Sequence, residues 1–123
     1  MKLFLTVSIL IAGLVLDPNP DMVKFAKEIG ADRIELYTEA YATKYPKSKE
    51  EAIKLYVETA IEAKKYGLGV NAGHDLSLDN LKYFADNIPN LLEVSIGHAL
   101  ISEALYMGLE NTVQAYLKRL AKW

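Results

Sequence analysis

Two short stretches hold the residues best suited to chemistry, and they share one plan: Gly69-Val70-Asn71-Ala72-Gly73-His74-Asp75-Leu76 and Glu93-Val94-Ser95-Ile96-Gly97-His98-Ala99-Leu100. Each is an apolar strand that runs into a Gly-His pair, and together they contain the only two histidines of the chain. Glycine at a strand end lets backbone approach a ligand closely, and free N–H groups at the start of a following helix point outward, which is how phosphates are cradled. Imidazole, with an unperturbed pKa of about 6.5, gives and takes protons at neutral pH. Two such ends side by side make one site with an anion cradle and a proton carrier.

The chain has no cysteine, which removes disulfides, thiolate nucleophiles and thiolate metal sites together. Chemistry must then come from His, Asp, Glu, Lys and backbone amides. No HExxH pattern or paired-aspartate loop is present, so neither a bound metal nor another cofactor is expected. At 123 residues, 51% hydrophobic and net charge −2, the chain reads as one globular domain over 1–123. It has no basic stripe to suggest a nucleic-acid partner.

The elements that would position these turns are readable in order. Met1-Lys2 and the apolar run from Leu3 to Ala12 fit two readings: the charged start and core of an export signal, or a buried parallel strand ending at Leu16-Asp17-Pro18. The run is short for a bilayer span and no clean small-x-small cleavage site follows it, so a buried strand within 7–16 is expected, in a cytoplasmic protein with no membrane partner. Asn19 then caps a helix with Pro20 at its first position and Met22, Val23, Phe25, Ala26 and Ile29 on its apolar face, stopped by Gly30. Arg33 to Tyr37 is a second strand, followed by a polar loop from Thr38 to Lys47. Ser48 and Glu51 form a capping box for the longest helix, with Ile53, Tyr56, Val57, Ala60 and Ile61 at helical spacing up to Gly67. A third strand over 68–72 leads to a helix capped by Ser77, bearing Leu78, Leu81, Phe84 and Ile88 and ended by Pro89. Leu92 to Ile96 is a fourth strand. Helices over Ala99–Met107 and from Leu109 to about Lys122 follow, the second with Val113, Tyr116, Leu117 and Leu120 on one side.

Four successive βα units imply an α/β fold with parallel strands joined by right-handed crossovers. They amount to half of a TIM (β/α)8 barrel, which normally takes about 250 residues. The chain is therefore either a small open α/β domain or a half-barrel completed by association. Half of the residues are hydrophobic, yet helices can shield only the outer face of four curved strands, so a homo-oligomer is expected.

The run Arg33-Ile34-Glu35-Leu36-Tyr37-Thr38, then Val70 to Leu76, then Glu93 to Ile101, in that order and spacing, resembles the pyridoxine 5′-phosphate synthase family. The likeness runs from about Leu14 to Leu120 and covers the C-terminal half of that family's barrel, strands five to eight. Residues 1–13 fit it poorly. The resemblance implies condensation of 3-amino-2-oxopropyl phosphate with 1-deoxy-D-xylulose 5-phosphate, closing the pyridine ring of vitamin B6, with small phosphorylated substrates as partners. It also implies roles. His74 looks like the proton donor, Glu35 like the carboxylate that stabilises charge during ring closure, and Gly97 with His98 like the binding positions for the aminoketone phosphate. Gly73 and Asp75 flank the donor as further phosphate-binding candidates.

Each assignment has a structural alternative: Glu35 could pair with a lysine at the barrel rim, His74 could cap a turn, and Gly97 could serve tight packing alone. Two positions depart from the family pattern. Asp75 stands where glycine is often found beside the phosphate, and its carboxylate would repel a dianion unless it points away. Tyr37 replaces a common histidine. The family's remaining acid-base residues and most ligands for the xylulose phosphate lie in strands one to four, which have no counterpart here. Two functions therefore compete: an enzyme of this family, a transferase incomplete as an isolated chain, and a non-catalytic, self-associating half-barrel with a relic phosphate site.

Overall fold

A computed structural model of the chain describes residues 13–121. Its elements are β1 (Gly13–Leu16), α1 (Pro20–Glu28), β2 (Arg33–Tyr37), α2 (Glu39–Lys44), α3 (Lys49–Lys65), β3 (Gly69–Gly73), α4 (Leu81–Asn87), β4 (Leu91–Ser95), α5 (His98–Met107) and α6 (Leu109–Leu120). The four strands form one parallel sheet in the order β1-β2-β3-β4. Helices cover its outer face, α1 against α3, α3 against α4 and α4 against α6. This is half of a TIM barrel, as the βα repeat predicts.

Local chemistry sets the starts and stops. Asn19 Oδ1 accepts from the Asp21 amide at 3.0 Å, and Pro20 occupies the first position of α1. Ser48 Oγ accepts from the Glu51 amide at 3.3 Å and opens α3. Gly30 and Gly67, at φ +85° and +70°, turn the chain out of α1 and α3 in a conformation that favours glycine.

Strand periodicity sorts the side chains into two faces. Ile34, Leu36, Val70, Ala72 and Val94 are buried under the helices. The alternate positions, Arg33, Glu35, Asn71 and Glu93, line the inner face. Arg33 Nη1 lies 3.0 Å from Glu93 Oε1, and Asn71 Nδ2 donates to Glu93 Oε2 at 3.2 Å, so one carboxylate ties β2, β3 and β4 together. The expectation that an open inner face would drive association by leaving apolar surface uncovered is therefore corrected: that face is polar and charged. Apart from Val15 at the β1 edge, the exposed apolar side chains are on helices, most fully so on the two flanking ones. Phe25 and Ile29 of α1 are 56% and 70% exposed, and Leu105 and Tyr106 of α5 are 83% and 92% exposed.

Other expectations are corrected in detail. The expected first strand is seen only as β1, residues 7–12 lying outside the described residues, and within it Leu16 alone is buried. As an edge strand β1 has one neighbour, and Val15 points to the open face. On α1 only Val23 and Ala26 are buried, because that helix packs mainly on α3 and turns Met22, Phe25 and Ile29 outward. The segment after Thr38 is not a plain loop but contains α2, anchored by the buried Tyr41. Ser77 does not cap α4 directly: its hydroxyl accepts from the Asp79 amide in a preceding turn, and Asn80 takes the N-cap position. On α6 Thr112 is buried and Leu117 exposed, a slight rotation of the expected face around Tyr116.

Candidate active site at the strand ends

The C-terminal parts of β2 and β3 bring together two expected residues, Glu35 and His74, with Tyr37 beside them. Glu35 points to the inner face of β2 and His74 follows the last residue of β3, with His74 Nε2 4.0 Å from Glu35 Oε1. The Tyr37 ring stands edge-on to the imidazole, centroids 5.4 Å apart and planes at 67°. The charge of Glu39 beside Tyr37 raises that phenol above its ordinary pKa, so it remains a neutral wall at physiological pH. A cationic or proton-accepting group above this pair would meet a carboxylate and an imidazole from one side.

Gly73 has a tighter role than a phosphate cradle. A Cβ there would fall 2.8 Å from the Ser95 carbonyl oxygen and 2.9 Å from Glu35 Oε1. Gly69 similarly leaves room for the stem of Arg33, whose Cγ would lie 3.0 Å from an added Cβ. The two inner-face glycines of β3 thus make clearance for neighbours on both sides, Arg33 and Glu35 of β2 and Leu92 and Ser95 of β4.

His74 itself is held at φ +83°, a left-handed conformation that a side chain with Cβ adopts at some cost. Its amide donates to the Ser95 carbonyl at 3.1 Å, and the Asp75 amide donates to Thr38 Oγ1 at 3.1 Å. These two amides, expected to be open to an anion, are committed to the protein. Asp75 keeps an exposed side chain. The second Gly-His pair is different: Gly97 is the N-cap of α5 and His98 its first residue, both exposed, with open space around Gly97 and no side-chain cap. A helix start of this kind presents amides to an anion. Among the described residues no hydrogen bond or ion pair links His98 to Glu35 or His74, and no group of three His, Cys, Asp or Glu side chains is arranged to hold a metal ion.

Sequence reasoning missed the groups beneath the site. Thr38 is fully buried and Asn80 nearly so. The Thr38 hydroxyl donates to the Gly73 carbonyl while accepting from the Asp75 amide, and Asn80 accepts from the Ser77 amide at 2.8 Å while donating to the Asp75 carbonyl at 3.3 Å. Tyr56 donates to the Tyr37 carbonyl at 2.7 Å and accepts from the Tyr41 amide at 3.3 Å, and Tyr41 donates to the Asn80 carbonyl at 2.7 Å. Burial pushes the Tyr56 hydroxyl up to about 12 and raises that of Tyr41 further. The available signal was period-two placement for Arg33, Asn71 and Glu93; nothing local marked Thr38, which reads as the start of a polar loop.

Parallel strands, outer helices and a polar cluster at the carboxyl ends of the strands define this chain as half of a βα barrel. It belongs to the family of the pyridoxal phosphate biosynthesis protein PdxJ, whose family model matches residues 5–122 and so begins inside the stretch expected to fit poorly. The chain is 63% identical over 98 residues to the pyridoxine 5′-phosphate synthase of Bacteroides thetaiotaomicron, covering 80% of this chain and 41% of that protein. It is 62% identical over 106 residues to that of Cytophaga hutchinsonii, covering 86% and 44%. For Flavobacterium johnsoniae the figures are 59% over 108 residues, 88% and 46%. The chain spans less than half the length of these curated relatives. No helix among the described residues is long and apolar enough to cross a membrane.

Proposed function

We infer that the chain carries the proton-donor and aminoketone-phosphate side of a pyridoxine 5′-phosphate synthase site, for condensing 3-amino-2-oxopropyl phosphate with 1-deoxy-D-xylulose 5-phosphate. The observation that carries this reading is the Glu35–His74 pair, 4.0 Å apart at neighbouring strand ends in a chain of this family. In this reading His74 delivers a proton to a departing oxygen, and Glu35 steadies the cationic imine-like character that develops as the ring closes. The phosphate of the aminoketone rests on the start of α5 at Gly97 and His98. Gly73 and Asp75 act as walls of the site rather than donors, because the nearby amides are engaged.

The same reading makes the isolated chain a poor catalyst. The other acid-base groups implied by the family resemblance lie in the half that this chain does not match, and each general acid-base contribution is worth about 10²–10⁴ in rate. Binding and turnover should therefore separate. Calorimetric titration with the aminoketone phosphate, run beside an assay for product, is expected to give binding that His98→Ala weakens and His74→Ala spares, with negligible product. Robust turnover by this chain alone would refute the incompleteness; absence of binding at millimolar ligand, with the fold intact, would favour a non-catalytic half-barrel. The exposed apolar flanks of α1 and α5 support the further reading that the chain associates with itself.

A further inference from the structure

Two helix caps in this fold do not cap their helices. Thr38 is the N-cap of α2 and Asn80 the N-cap of α4, and neither side chain bonds to an amide of its own helix. Threonine and asparagine at this position ordinarily accept from the second or third amide of the helix. Here both side chains turn instead to the segment around His74. The Thr38 hydroxyl, fully buried, bridges the carbonyl before His74 and the amide after it. Asn80 holds the next peptide, donating to the Asp75 carbonyl and accepting from the Ser77 amide. Between these anchors His74 stays at φ +83°, with its Nε2 4.0 Å from the Glu35 carboxylate and its ring centroid 5.4 Å from that of Tyr37. A non-glycine residue remains in that conformation only when its surroundings over-determine it.

We propose that Thr38 and Asn80 are positioning residues for His74, their cap bonds given up to lock the backbone that aims its imidazole at Glu35. The proposal rests on the reading of His74 as the proton donor, but its geometry can be measured without turnover. The chain has only two histidines, so ring-proton NMR reports His74 with His98 as an internal control. In the parent chain, Tyr37→Leu removes the neighbouring ring current and should shift the His74 ring protons. In Thr38→Val, which keeps the shape and loses the hydroxyl, the same Tyr37→Leu change should produce no such shift, and exchange of the Asp75 amide should quicken about tenfold, the loss of one part-buried hydrogen bond. Thr38→Ser should restore both signals. Folding is checked by circular dichroism; if Thr38→Val does not fold, Asn80→Asp decides, since it keeps the acceptor for Ser77 and loses the donor to Asp75. A folded variant in which His74 still senses Tyr37 and Asp75 exchanges at the parent rate overturns the proposal, as does a Thr38→Ser that fails to rescue. Absence of aminoketone phosphate binding at millimolar concentration, with these signals as expected, would instead defeat the functional reading on which the donor role of His74 rests.

Discussion

Glycine 73 shows how one residue decides whether the candidate acid and its neighbour can coexist. The space its side chain would fill is taken by the Ser95 carbonyl and the Glu35 carboxylate. Gly73→Ala should therefore cost about 1–3 kcal/mol as an overpacking change, read by urea denaturation, and should displace Glu35 from His74. Tyr56 gives a second residue-scale expectation. Burial raises its hydroxyl from the ordinary 10 to about 12, so the folded chain keeps a proton that the unfolded chain releases. Stability from this group is complete below pH 10 and is lost as pH rises toward 12. The thermal midpoint should fall across that window, and Tyr56→Phe should flatten this part of the profile while lowering the midpoint at neutral pH through loss of its bond to the Tyr37 carbonyl. The placement of His74, Gly97 and His98 just beyond strand ends was legible because a Gly-His turn announces itself in sequence, whereas Glu35 was singled out by the family resemblance. Thr38 and Asn80 were not, since their partners lie 35 or more residues away in one case and in an irregular turn in the other.

At the scale of elements, the strands and long helices were readable because their signals are local: Asn19-Pro20 and Ser48 with Glu51 start helices, and alternating residues define β2. Ser48→Ala should accordingly cost about 1 kcal/mol, measured by denaturation, by freeing the first-turn amide of α3. What was not legible depended on neighbours. α2 has a single buried residue, Tyr41, whose burial comes from its contacts with Tyr56 and Phe84 and not from any periodic face of its own. The polarity of the inner face also emerged only once register set Arg33, Asn71 and Glu93 side by side. That tie spans three strands while remaining partly exposed, so Glu93→Leu should lower stability by about 1 kcal/mol, with the loss smaller in high salt.

For the whole molecule, the question is where association would take place, and the distribution of polarity answers it differently from composition. An average of 51% hydrophobic residues suggests an apolar inner face, but alternation has spent the apolar positions of the strands on the helical layer. The most exposed apolar groups cluster at the two ends of that layer: Phe25 and Ile29, with Met22, on α1, and Ile101, Leu105 and Tyr106 on α5, none of whose residues is buried. Both edge strands also present unpaired backbone groups among the described residues. A second copy related by a two-fold axis would set the α5 flank of one against the α1 flank of the other twice over, covering both apolar ends without burying Arg33 or Glu93 against each other. The expected outcome is a dimer in sedimentation at micromolar concentration. Burying one leucine contributes about 1.5–3 kcal/mol, so Leu105→Glu should weaken association at least about tenfold, and Phe25→Glu should do the same from the opposite flank. A charge at Leu117, exposed on α6 in a different position, serves as the comparison and should leave the equilibrium close to that of the parent chain. A parent chain that sediments as a single monomer with an unperturbed fold would remove the flanks as the site of association.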